Sequence, residues 1–173
     1  MAATDDWTLR PPYTPASDRD SFTVQLSASC HCGRVQYHLD ADAPLDSKFC
    51  HCRGCQIIHV GASFQHAAIF SKASVAFTKE SINNISFYSS STRDNAYSLP
   101  CKLRCSFCGT LILDEGRNMV LLFPSLIRFD SPEARSKFQV NHHIFYGQRV
   151  VDIPDGKPKW EGLDHKSRRL DEP

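Results

Sequence analysis

Long apolar runs are missing from this chain. The longest, Met119 to Phe123, covers five residues, whereas a helix that crosses a bilayer needs roughly 20. A surplus of one charge is missing too. Twenty Lys and Arg face nineteen Asp and Glu, for a net charge of +1 and a pI near 7.6, so no strong field draws nucleic acid or anionic lipid. The only basic cluster, Lys166 to Arg169, is interrupted by Ser167 and flanked by acids, as in a solvated tail. The opening "MAATDDWTLRPPYTPASDRD" has no apolar core and carries early acids, unlike a signal peptide. These absences lead to the expectation of a soluble, cytoplasmic protein that engages neither membrane nor nucleic acid. Fixed-length repeats, low-complexity tracts and a long helical hydrophobic period are likewise absent.

What is present is short alternation. "TVQLSASC" and "RVQYHLD" alternate apolar and polar residues, the pattern of half-buried strands, and "ASFQHAAIF", "SVAFTKE" and "ISFYSSS" read as further strands. "CHCG" reads as a hairpin tip turning at Gly33, and "GTLILDEG" with "NMVLLFPSLI" as a hairpin around Glu115 and Gly116. "HHIFYGQRVVDIPDG" reads as a further strand-like stretch. Only "SPEARSKF" signals a helix, with Ser131 as cap and Pro132 at the first helical position. The expected class is therefore mostly β, in short antiparallel strands. The expected organisation is a polar N-terminal arm over 1–21, a β domain over 22–160, and a polar tail over 161–173.

The eight cysteines carry the chemistry. They fall in three clusters: Cys30/Cys32, Cys50/Cys52/Cys55 and Cys101/Cys105/Cys108. A reducing compartment disfavours disulfides, and thiols as close as Cys30 and Cys32 cannot pair without strain. They can share a metal ion. "CHCG" and "CSFCG" are two-sulfur half-sites in turn contexts. Joined, Cys30, Cys32, Cys105 and Cys108 would complete the closed tetrahedron of a structural zinc. Cys50, Cys52 and Cys55 in "KFCHCRGCQ" offer only three ligands, the number typical of a catalytic zinc with one open position. Such a metal could bind a thiol as thiolate, polarise a carbonyl or activate water. The spacing leaves all three open.

The order C-x-C-G, F-C-H-C-x-x-C, C-x-x-C-G-T resembles the glutathione-dependent formaldehyde-activating enzyme family, which also includes the centromere protein V domain. The likeness runs from about Leu26 to Gly156 through the segments quoted above. The resemblance implies a β-tent fold of antiparallel sheets around a structural zinc held by Cys30, Cys32, Cys105 and Cys108. It implies a second, catalytic zinc on Cys50, Cys52 and Cys55, hence two zinc ions per chain. It also implies carbon–sulfur lyase chemistry of the kind that joins formaldehyde to glutathione as S-hydroxymethylglutathione. The implied partners are a small-molecule thiol, glutathione first, and an electrophile.

Cys101 departs from that pattern. It can be a thiol without a role, a redox-sensitive or substrate-facing thiol near the metal, or a fourth ligand closing the middle site. In the last case no open position remains. His51, His59, His66, His142 and His143 are candidates for proton transfer, each against the plainer reading of a satisfied structural side chain. Arg53, inside the three-cysteine segment, could attract a substrate carboxylate, and "DEGRN" reads as a charged turn. Two other functions compete with the lyase: a zinc-stabilised binding module, and a hydrolase or isomerase using zinc-bound water.

Overall fold

A computed structural model describes residues 6–170. Residues 1–5 of the expected arm and 171–173 of the expected tail lie outside the described residues. The chain is mostly β, as the alternation requires, in two sheets. The smaller sheet joins β1 (Leu26–Ser29), β2 (Gln36–Leu39), β5 (Val75–Phe77) and β10 (Ile127–Arg128) in the order β10-β1-β2-β5. The larger contains β3 (Asp46–Cys50), β4 (Gln65–Ser71), β6 (Ile85–Tyr88), β7 (Cys101–Cys105), β8 (Leu111–Glu115), β9 (Met119–Leu122) and β11 (His142–Ile144). Its order is β11-β3-β4-β9-β8-β7-β6. Two short helices complete the set, α1 (Arg53–Ile58) and α2 (Pro132–Ser136).

One core lies between the sheets. Tyr37, Leu39 and Phe77 from the smaller sheet meet Phe70, Leu103, Leu113 and Leu122 from the larger, all essentially inaccessible to solvent. Period-two alternation produces this directly: Leu26 and Ala28 of β1 are buried while Ser27 and Ser29 are only partly so. The turn after β1 is reversed by Gly33 at φ +78°, a conformation that costs glycine little. At α2 the Ser131 hydroxyl accepts the Ala134 N–H, with Pro132 opening the helix.

Four local features differ from the sequence expectation. β11 pairs in parallel with β3, His143 opposite Phe49 and Ile144 opposite Cys50, so the larger sheet is mixed. Of "HHIFYGQRVVDIPDG" only His142–Ile144 is strand. Phe145 at φ +52° turns the chain into a 3-10 turn. Cys55 rides on a helix, α1, that the spacing did not announce. Asp114 and Glu115 are not turn residues either, since both lie in β8.

Glu115 is the polar centre of the main core. Its fully buried carboxylate accepts hydrogen bonds from Tyr13 (2.6 Å), Tyr97 (3.0 Å) and Lys72 (2.6 Å). Burial alone would make an unpaired carboxylate there costly; three donors offset that cost. The Tyr13 bond also anchors the N-terminal segment, whose Trp7 packs edge-on against Tyr13 and Phe87. The segment read as an arm is thus built into the core through Tyr13 and Trp7.

Candidate functional site

The two half-sites meet across 73 residues of sequence. β1 and β7 end beside one another, bringing together the sulfurs of Cys30, Cys32, Cys105 and Cys108, all within 4.8 Å. Cys30 to Cys32 is 3.5 Å and Cys32 to Cys105 is 3.8 Å. A tetrahedron with bonds of about 2.3 Å to zinc has edges of about 3.8 Å, so the donor set fits such an ion. Backbone Val35 N–H points at Cys30 Sγ (3.3 Å), and the Thr110 hydroxyl lies 3.2 Å from Cys108 Sγ. That hydroxyl, with the Thr110 backbone, draws the Cys108 thiol down to about 5.

The second cluster holds Cys50, Cys52 and Cys55, again within 4.8 Å. Cys50 ends β3, Cys52 caps α1 and Cys55 lies in its first turn. A capping sulfur accepts the Cys55 backbone N–H at 3.4 Å, the role Ser or Asp usually fills. Cys55 Sγ is 3.6 Å from Cys50 Sγ, so this donor set also fits a metal ion. The chain itself supplies three donors. Hydrogen bonds from Cys50, Cys55 and the Cys55 backbone hold Cys52 far below the ordinary thiol range. Cys50 is pushed up to about 11, chiefly by its partner Cys52.

Cys101 belongs elsewhere. Buried in the main core, it lies 4.0 Å from Glu115 Oε2, and burial with that carboxylate pushes it up to about 12. It joins neither cysteine group. The second cluster packs instead with Ile144, Phe145 and Trp160.

Neighbouring side chains shape the second cluster. Cys55 Sγ donates to Gln65 Oε1 (2.8 Å), Gln65 Nε2 donates to Asp114 Oδ2 (3.1 Å), and Lys102 donates to the same oxygen (2.6 Å). Gln56 Nε2 donates to the carbonyls of His51 and Gln148, both at 2.7 Å, clamping the loop to the 3-10 turn after β11. Sequence reasoning missed Gln65, Gln56, Gln148 and the role of Asp114. Period two marks only that Gln65 is a strand residue, and nothing local says which strand it faces.

The histidines separate by location. His51, between two of the cysteines, is fully buried with Nε2 at 2.9 Å from His143 Nδ1; His143 Nε2 lies 2.9 Å from Asp155 Oδ2. Burial lowers both imidazoles, His51 to about 4, so both are neutral near pH 7. The ionised Asp155 must then accept from His143 Nε2–H, which makes His143 Nδ1 the acceptor for His51 Nε2–H. The buried Nδ1 of His51 is left as a bare lone pair without a partner. His66 bonds Ser47 (2.9 Å), away from the thiols. His142 sits with Asp46 and Asp164, a trio spaced for a metal. The Lys48 ammonium already bridges those carboxylates at 2.8 and 2.9 Å, so the trio is a salt-bridge cluster. Arg53 is exposed and its guanidinium reaches Gln56 (3.3 Å).

A pH dependence follows from His51. Its folded proton affinity lies below the unfolded value near 6.5, so the unfolded chain takes up the proton first as pH falls. Stability is full above pH 6.5 and is lost as pH falls towards 4. By pH 5 the loss from His51 is about 2 kcal/mol, and His59, His66, His142 and His143 shift the same way, each first through burial. Urea unfolding at pH 7.5 and 5.0, with metal content followed in parallel, checks this. Equal midpoints at unchanged metal content would refute it.

Fold and site together define a small mixed-β domain with one closed and one open cysteine group, each spaced for a metal ion. The chain belongs to the glutathione-dependent formaldehyde-activating enzyme family, whose sequence profile matches residues 25–148. A comparison with curated proteins gave no match. Among solved structures, a crystal structure of a Rhodobacter sphaeroides protein is similar with 19% identity and a TM-score of 0.48, covering 66% of this chain and 96% of that one. Among the described residues no helix is long and apolar enough to cross a membrane.

Proposed function

We propose that this protein is a zinc-dependent carbon–sulfur lyase or synthase acting on a thiol cosubstrate, glutathione first, and an aldehyde or similarly electrophilic carbon. The observation that carries the reading is the four-plus-three division of the cysteines, with Cys101 in the core beside Glu115 and so apart from the group of three. In this reading Cys30, Cys32, Cys105 and Cys108 hold a structural zinc, and Cys50, Cys52 and Cys55 hold a catalytic one. A zinc with one exchangeable position supplies thiolate at neutral pH and a fixed orientation for its sulfur.

The chain's own residues do the rest. Gln65 lies against Cys55, Gln56 holds the His51 carbonyl, and the Asp155–His143–His51 chain braces the backbone between Cys50 and Cys52. Ile144, Phe145 and Trp160 exclude water from one side of the thiols. A reaction that needs free thiols and glutathione suits the reducing cytoplasm.

The test is metal content and thiol binding in the wild type and Cys101→Ser. Two metal ions in each protein, and a change in the visible spectrum of the cobalt-substituted protein on adding glutathione, are the expected results. Loss of one ion in Cys101→Ser would overturn the open site. Turnover that needs metal but no thiol would move the assignment to hydrolysis or isomerisation by activated water, and two ions with neither thiol binding nor turnover would leave a binding module.

A further inference from the structure

Beside the three-cysteine group lies a groove that the site so far described does not use. It has a volume of about 410 Å³ and is lined by Ile58, Tyr88, Lys102, Arg104, Gly109 and Leu111, within the usual size range of small-molecule sites. Ile58 stands at the end of α1, one turn beyond Cys55. Tyr88, Lys102 and Arg104 come from adjacent strands: Tyr88 is opposite Lys102 in the β6–β7 register, and Arg104 follows two residues along β7 on the same face. The contacts Lys102–Asp114–Gln65–Cys55 run without a break from the groove to the cluster.

Charge in the groove is unevenly committed. Lys102 is held by Asp114 at 2.6 Å. Arg104 is exposed, its Nε–H resting on the Ser86 hydroxyl at 3.2 Å, and no carboxylate lies against it among the described residues. Two polar atoms outside the groove lining, Asp114 Oδ1 and His59 Nε2, are buried without a hydrogen-bond partner.

Resting on the lyase reading, we infer that this groove is the cosubstrate's recognition site and that Arg104 selects thiols bearing a carboxylate. The thiol would reach the three-cysteine end. A carboxylate farther along would meet the exposed Arg104 guanidinium, whose planar fork matches it. A thiol peptide with a terminal carboxylate meets these requirements, and a small neutral thiol does not. Arg104 is here a specificity residue and takes no part in bond making.

The test uses the cobalt-substituted protein and its spectral change to measure thiol affinity. Glutathione should bind Arg104→Gln roughly tenfold or more weakly than wild type, the loss typical of one charged hydrogen-bonded contact, with part of the affinity returned in Arg104→Lys. Glutathione dimethyl ester and 2-mercaptoethanol should bind wild type and Arg104→Gln alike. Unchanged glutathione affinity in Arg104→Gln, while the wild type responds to thiols, would overturn the groove assignment and leave the lyase reading standing. A wild type that responds to no thiol would overturn both. Equal weakening of ester and free acid in Arg104→Gln would show a structural effect and would also reject the assignment.

Discussion

Cys105→Ser is expected to leave the chain unfolded at 25 °C. Cys105 ends β7 in the main core, 1% exposed, and its sulfur is 3.8 Å from that of Cys32 across the sheets. The four-sulfur group ties the β1–β2 turn to the end of β7, so its metal would act as a cross-link closing 73 residues of sequence. Structural zinc contributes about 10–16 kcal/mol in small zinc domains, and a domain of this size is stable by only about 5–15 kcal/mol in total. Serine is a poor zinc ligand, and its hydroxyl would be buried at a site shaped for sulfur. The expected result is loss of the cooperative thermal transition and of the structural metal. Circular dichroism with metal analysis reads both. A variant that melts cooperatively within a few degrees of wild type would show that the core alone carries the fold.

Cys52→Ala should have the opposite profile, with chemistry lost and fold retained. The hydrophobic side chains packed with Cys50, Cys52 and Cys55 are Ile144, Phe145 and Trp160, a cluster separate from the core under Glu115. Cys52 is partly exposed and caps a helix of only six residues. Removing a cap costs about 1 kcal/mol, a shift of a few degrees in Tm for a domain this long. On the proposed reading the same substitution removes one of three metal donors. One equivalent of metal and at least a thousandfold of turnover should go with it, since the remaining two sulfurs cannot fix the ion. Zinc content, melting temperature and the rate of S-hydroxymethylglutathione formation form the measurement. Full turnover with one metal ion would place the chemistry outside this cluster.

Several parts of this arrangement are local enough to be legible in sequence. Alternation marks β1 and β2 because a strand shows its core to every second side chain. Gly33, Ser131 and Pro132 announce their turn and helix start through their own backbone preferences. α1 was not legible: it is short, contains Gly54 and is capped by a cysteine, so neither its propensity nor its cap stands out. Cys101 was ambiguous for a different reason. Its neighbours in sequence, Cys105 and Cys108, join the four-sulfur group, and only the alternation and bulge of β7 against β8 put Cys101 beside Glu115.

The sequence by itself determined the class of the fold and the composition of the two thiol groups. Both are encoded at short range, in period-two alternation and in ligand spacings of two and three residues. Tertiary structure alone decided which side chains surround those thiols. The parallel pairing of β11 with β3 carries His143 to His51 over 92 residues and brings the Asp155 loop behind it. The order β4-β9-β8-β7 sets Gln65 near Asp114 and Lys102, and from there the groove reaches Arg104. Such contacts depend on strand order, which is selected by burial of the whole core, and no local pattern reports it.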